Sequence, residues 1–145
     1  MAYTVSKVDI WTGEIDDRTG GLAAKLRPLA NAGADLELVI ARRQPHLPGK
    51  GVVFLGPVKG AKASAAASTA QLTRATNMAA LRVEGTNKPG ECHRVTERLA
   101  NAGINLRGLS AIVVGKKFVL AIAFDSEADA DQAAKVLKAK GNKGK

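Results

Sequence analysis

Residues 29–33 read Leu-Ala-Asn-Ala-Gly, and the same five residues return at 99–103. At this fixed offset of 70 the match spreads: Glu14 pairs with Glu84, Gly20 with Gly90, Leu36 with Leu106 and Ala41 with Ala111. Positions 14–41 thus hold nine identities in 28 ungapped positions, where composition alone yields roughly two. The chain is two copies of one module. The unit is far longer than a solenoid repeat, so the duplication predicts two small domains rather than a stacked array. A unit of about 70 residues buries little surface by itself, so the copies are expected to bury a face against each other.

The second copy is the more legible. It predicts a strand over 78–84, a loop over 85–89 and a helix over 90–102, on which Cys92, Val95, Leu99 and Ala102 recur at helical spacing while Glu91, Arg94, Glu97 and Arg98 point elsewhere. Gly103 is placed to end that helix in the left-handed conformation. Strands follow over 105–114 and 118–124, the second so uniformly apolar that both faces should be covered. Ser126 is positioned to cap a last helix running to about residue 139, with Ala130, Ala133, Val136 and Leu137 as its buried stripe.

The first copy follows the same order, with strands over 4–12, 36–43 and 52–55 and helices over 20–31 and 61–72. Pro28 falls inside the first of these helices and is expected to kink it. Residues 73–84 read as one long strand shared by the two copies, which leaves the second without a clear last strand. The predicted modules are 1–76 and 77–140, followed by a disordered basic tail over 141–145.

Strand, Asn87-Lys88-Pro89-Gly90, amphipathic helix, then Gly103-Ile104-Asn105-Leu106 resembles the ACT domain. The resemblance covers nearly the whole chain and is strongest over 80–124. It implies an α+β architecture of two ferredoxin-like βαββαβ modules in tandem, with antiparallel sheets and helices on one face. It also implies a regulatory, non-catalytic role in binding a small ligand, usually an amino acid, where two modules meet.

Elementary chemistry supports a site at these residues. Gly90 lets the backbone approach a ligand, and the free N–H groups of the following helical turn suit a carboxylate. Pro89 belongs to the motif that carries the resemblance, and the Asn87 and Asn105 amides each offer donors and an acceptor. The first copy carries Asp17, Gly20 and Asp35 at the matching places. In relatives whose modules lie side by side the two halves of a site come from different modules. That arrangement would combine Asn87 and Gly90 with Asp35, and Asp17 and Gly20 with Asn105, in one continuous sheet whose open face, carrying Val119, Ala121 and Ala123, drives homodimerisation. The bland alternative is that Asn87 only starts a turn and Asn105 only starts a strand.

Other chemistries fare worse. Cys92 sits in the slot of Leu22 and is expected to be a buried structural thiol, and one cysteine with two separated histidines makes no metal set. No cofactor motif is present, and residues 56–62 lack the spacing of a phosphate-binding loop. The formal charge of +9 raises the question of RNA, the main alternative. Five lysines lie in the last eleven residues, and the strand at 118–124 lacks two aromatics one residue apart for stacking bases, which argues against nucleic acid. A scaffold without a ligand is the remaining alternative. No apolar run approaches the ~20 residues needed to cross a bilayer, no signal peptide is legible, and a single cysteine fits a reducing cytoplasm.

Overall fold

The computed structural model describes residues 3–139. In chain order the elements are β1 (Thr4–Val8), β2 (Trp11–Asp16), α1 (Gly21–Asn31), β3 (Leu38–Arg43), β4 (Lys50–Gly56), α2 (Gly60–Thr69), β5 (Thr73–Arg74), β6 (Ala79–Thr86), α3 (Glu91–Asn101), β7 (Gly108–Val114), β8 (Lys117–Phe124) and α4 (Glu127–Lys138). They form two four-stranded antiparallel sheets, ordered β3-β4-β2-β5 and β1-β6-β8-β7. The expected βαββαβ architecture is therefore present twice, with helices on one face of each sheet.

Sequence and structure part at the N-terminus. The strand expected over 4–12 is two strands in two sheets: β1 pairs with β6, from Thr4↔Glu84 to Val8↔Ala80, whereas β2 pairs with β4 and β5. The strand expected over 73–84 likewise breaks, since Thr73–Arg74 pairs with β2 and the chain resumes extended pairing at Ala79. Residues up to Val8 thus join those from Thr76 onward in one compact unit, and Asp9–Ala75 form the other. The expected division at 76/77 falls one residue from this boundary, and what differs is that β1 belongs with the second module. β1 covers the edge that β6 would otherwise present, since among the described residues no other strand pairs with β6 on that side. The tail at 141–145 lies outside the described residues.

In the unit containing α3, β8 alternates strictly: Phe118, Leu120, Ile122 and Phe124 are buried against the helices, and Val119, Ala121 and Ala123 on the other face are half-buried. Val95 and Leu99 of α3, Ala130, Ala133 and Leu137 of α4 and Leu81 and Val83 of β6 belong to that core, joined by Val5 of β1 and Tyr3 just before it. Ser126 caps α4 as expected, its Oγ accepting from the Asp129 N–H at 3.0 Å, and Gly103 adopts a left-handed φ of 75° after α3. In the other unit Leu29, Val53, Leu55, Ala67 and Leu72 form the core. Here α1 continues through Pro28 to Asn31. The N–H that proline lacks costs one bond near the helix end, and Ala32 still donates to the Pro28 carbonyl at 3.1 Å.

Tyr3 ties β1 to its unit. Its ring meets Phe118 edge-on at 5.6 Å between centroids, the Arg98 guanidinium lies 5.3 Å from its centre, and Arg98 also donates to the Val136 and Ala139 carbonyls at the end of α4. Gly85 makes room for this packing, since a Cβ there would lie 2.6 Å from the Phe118 ring. Truncation of Tyr3 to alanine is expected to cost about 3 kcal/mol in denaturant unfolding, the scale for a buried aromatic. A loss below about 1 kcal/mol would mean that β1 is not integral to the core.

Candidate functional site

The loop between β6 and α3 is held at both ends. The Asn87 N–H donates to the Lys116 carbonyl in the β7–β8 turn at 2.8 Å, and the Glu91 N–H closes back on the Lys88 carbonyl at 3.2 Å. Gly90 joins loop to helix with φ 86°. That left-handed conformation is unfavourable for any residue bearing a Cβ, so the glycine serves the backbone turn before it serves any ligand. The same geometry recurs at Gly20, with φ 82° before α1. The repeat is thus conserved between the two copies at the level of backbone angle.

Asn87, Pro89 and Gly90 line one cleft of about 450 Å³, together with Lys88, Glu91 and Cys92 and the apolar wall formed by Ala111, Ile112 and Val113 of β7 and Phe118 and Leu120 of β8. The first turn of α3 opens into it. The Arg94 N–H already returns to the Gly90 carbonyl at 3.0 Å, which leaves the amides of Cys92 and His93 as the helix-terminal donors with no intrahelical acceptor. Their partial positive charge suits an anionic group.

Two expectations about this turn are corrected. Cys92 is exposed rather than a buried structural thiol. Glu91, expected to point away from the core, is 3% exposed and is the buried acid of the unit. The buried stripe of α3 is Glu91, Val95 and Leu99, a run of i, i+4 spacings displaced by one residue from the Cys92-based reading. Glu91 lies one turn before Val95 on the same face of α3, and Arg94 holds its carboxylate there. The spacing from Val95 and Leu99 was the available signal, as was the glycine that occupies the matching position, Gly21. Glu91 Oε1 accepts from Arg94 Nε at 2.6 Å, and Arg94 Nη2 donates to the Pro89 carbonyl at 2.8 Å.

The remaining site candidates are held as follows. Asn105 is exposed and its Oδ1 accepts from the Leu106 N–H at 2.9 Å, the local strand-start role. Asp17 pairs with Arg43 at 2.7 Å. Asp35 lines a second cleft of about 370 Å³ with Lys59 and Lys62 at the start of α2. In the loop before α1, the Lys50 ammonium bonds Asp16 at 3.1 Å and holds that carboxyl below its usual range, with Arg18 adding to the effect. A Cβ at Gly21 would lie 2.1 Å from the Asp16 carbonyl oxygen, so no side chain fits where Glu91 sits in the other unit.

Among the described residues no group of three or more His, Cys, Asp and Glu is placed to hold a metal ion, and no helix is long and apolar enough to cross a membrane. Tyr3, Phe118 and Phe124 are buried on the helix side of their sheet. A base-stacking surface needs such rings on an open face.

The two units are antiparallel ferredoxin-like modules in tandem, the fold that the ACT resemblance implies. No family model and no curated protein matches the chain by sequence. By structure it is similar to protein BT0572 from Bacteroides thetaiotaomicron, with a TM-score of 0.73 and 14% identity over 90% of this chain and 88% of that one. It is also similar to the ligand-free regulatory subunit of aspartate kinase from Thermus thermophilus, with a TM-score of 0.64 and 15% identity over 94% and 95% of the two chains. For Escherichia coli aspartokinase III in complex with aspartate and ADP the values are 0.59 and 13%, over 94% of this chain and 32% of that one. At such identities the likeness is one of fold.

Replacing Gly90 or Gly20 with alanine is expected to cost about 1 to 2 kcal/mol each, the penalty of a left-handed L-residue. Gly108→Ala, in open space with no left-handed angle, is the control and should be near neutral. Chemical denaturation of the three variants checks this, and equal stability of all three would refute the backbone role.

Proposed function

We propose that the chain is a non-catalytic regulatory module that binds a small ligand, an amino acid, in the cleft at the start of α3. The observation that carries this reading is the cleft itself, in which Asn87, Gly90 and the first-turn residues Glu91 and Cys92 face an apolar wall. An α-carboxylate meets the helix terminus, the Asn87 amide adds a further hydrogen bond, and a small side chain packs against β7 and β8. The tandem ACT-type fold, found in a regulatory subunit of aspartate kinase, supports a sensing role. The exposed thiol of Cys92 fits a reducing, cytoplasmic setting.

Thermal-shift measurement against the twenty amino acids tests this. A ligand present at 100 times its Kd stabilises by about 2.7 kcal/mol, and Asn87→Ala should reduce the shift, while Asn105→Ala and Asp35→Ala report whether those positions contribute. The reading fails if no amino acid raises the melting temperature.

We also infer self-association as a homodimer, now through the edge strand β7 rather than the face bearing Val119. Ile112, Val113 and Val114 are 64, 51 and 61% exposed on that edge, and an uncharged apolar edge is a template for pairing. Light scattering is expected to give a dimer mass that Val114→Lys lowers. A wild-type monomer at high concentration would refute it.

A further inference from the structure

We propose that Glu91 Oε2 is the acceptor for a cationic amino group, so that the cleft at α3 selects ligands bearing a primary amine and takes one such ligand per chain. The inference rests on the functional reading of that cleft given above. Glu91 lines the cleft, is 3% exposed, and its Oε2 has no hydrogen-bond partner among the described residues. A buried carboxylate oxygen without a donor is costly, and a site that supplies the donor from a ligand turns that cost into selectivity. Arg94 does not fill the role. Its Nε is committed to Oε1, its Nη2 to the Pro89 carbonyl, and its guanidinium lies along Gly90, where a Cβ would meet Nη1 at 3.1 Å. The guanidinium therefore orients the carboxylate and leaves the second oxygen for a ligand.

The rest of the cleft fits the same ligand. Lys88, on the rim, and the helix amides receive a carboxylate, while Ala111, Ile112, Phe118 and Leu120 bound an apolar space. A zwitterion of small aliphatic side chain satisfies all three surfaces, with its ammonium on Oε2. The other unit supplies an internal contrast. Its matching residue is Gly21, pressed against the Asp16 carbonyl, and its loop acids are paired with Lys50 and Arg43. That loop offers no buried acceptor at the matching position, which is why one amine site per chain is expected.

Isothermal titration of the full chain separates the possibilities, using alanine, valine and leucine, each alongside the carboxylic acid that lacks its amino group and the amine that lacks its carboxylate. On the wild type the best amino acid should bind one per chain and at least tenfold more tightly than its deaminated acid. Glu91→Gln, which keeps shape and replaces the charge, should weaken the amino acid and the simple amine at least tenfold and leave the deaminated acid unchanged. Equal binding of the amino acid and its deaminated acid to the wild type overturns the proposal without recourse to any variant, as does unchanged binding to Glu91→Gln. Amine binding that depends on Glu91 in the absence of amino-acid binding would uphold this inference and defeat the amino-acid reading. Amino-acid binding that ignores Glu91 would do the reverse. If neither amino acids nor amines bind, both fall.

Discussion

The ladder between β1 and β6 holds the unit that carries the candidate site. β6 lies second in its sheet, with β8 on one side, and the five-residue strand β1 occupies the other. With β1 in place, Val83 and Leu81 are covered from both flanks, and Tyr3 sets the Phe118 ring against the Gly85 backbone. Phe118 is at once core residue and cleft wall. The outermost strand at one edge of the sheet therefore fixes the shape of the cleft through a single aromatic pair. Arg98 reinforces the arrangement from α3, since one guanidinium meets the Tyr3 ring and the carbonyls that end α4.

The two copies share a backbone and differ in chemistry. Gly20 and Gly90 make the same left-handed entry into a helix, and Gly33 and Gly103 make the same exit. The copies diverge one residue past the entry glycine: Gly21 closes one loop tightly on the Asp16 carbonyl, whereas Glu91 buries a carboxylate in the other. The closed loop neutralises its own acids, Asp16 with Lys50 and Asp17 with Arg43. The open loop leaves one carboxylate oxygen, Glu91 Oε2, without a hydrogen-bond partner. Duplicated modules with one internally satisfied loop and one unsatisfied loop fit a division of labour between structure and recognition.

The fold is held with 13 to 15% identity to the solved structures to which it is similar. This is physically reasonable. The architecture needs alternating apolar strands, helices with one apolar stripe and glycine at a few left-handed positions, and many sequences satisfy those demands. A ligand site depends instead on individual polar atoms, which is why the fold alone does not carry its chemistry across.

The sequence by itself determined the duplication, the order of elements, the helix-terminating glycines, the Ser126 cap and the loop in which the cleft opens. Each of these comes from local periodicity or from the conformational demands of one residue type. Only the tertiary structure decided which sheet each strand joins. The stretches 4–12 and 73–84 are uniformly extended to the eye, and their breaks at 9–10 and 75–78 arise from long-range pairing that no local pattern encodes. The burial of Glu91 and exposure of Cys92 belong to the same class. A first-turn residue is inside or outside according to the tertiary packing around it, which the local pattern at 91 and 92 does not reveal.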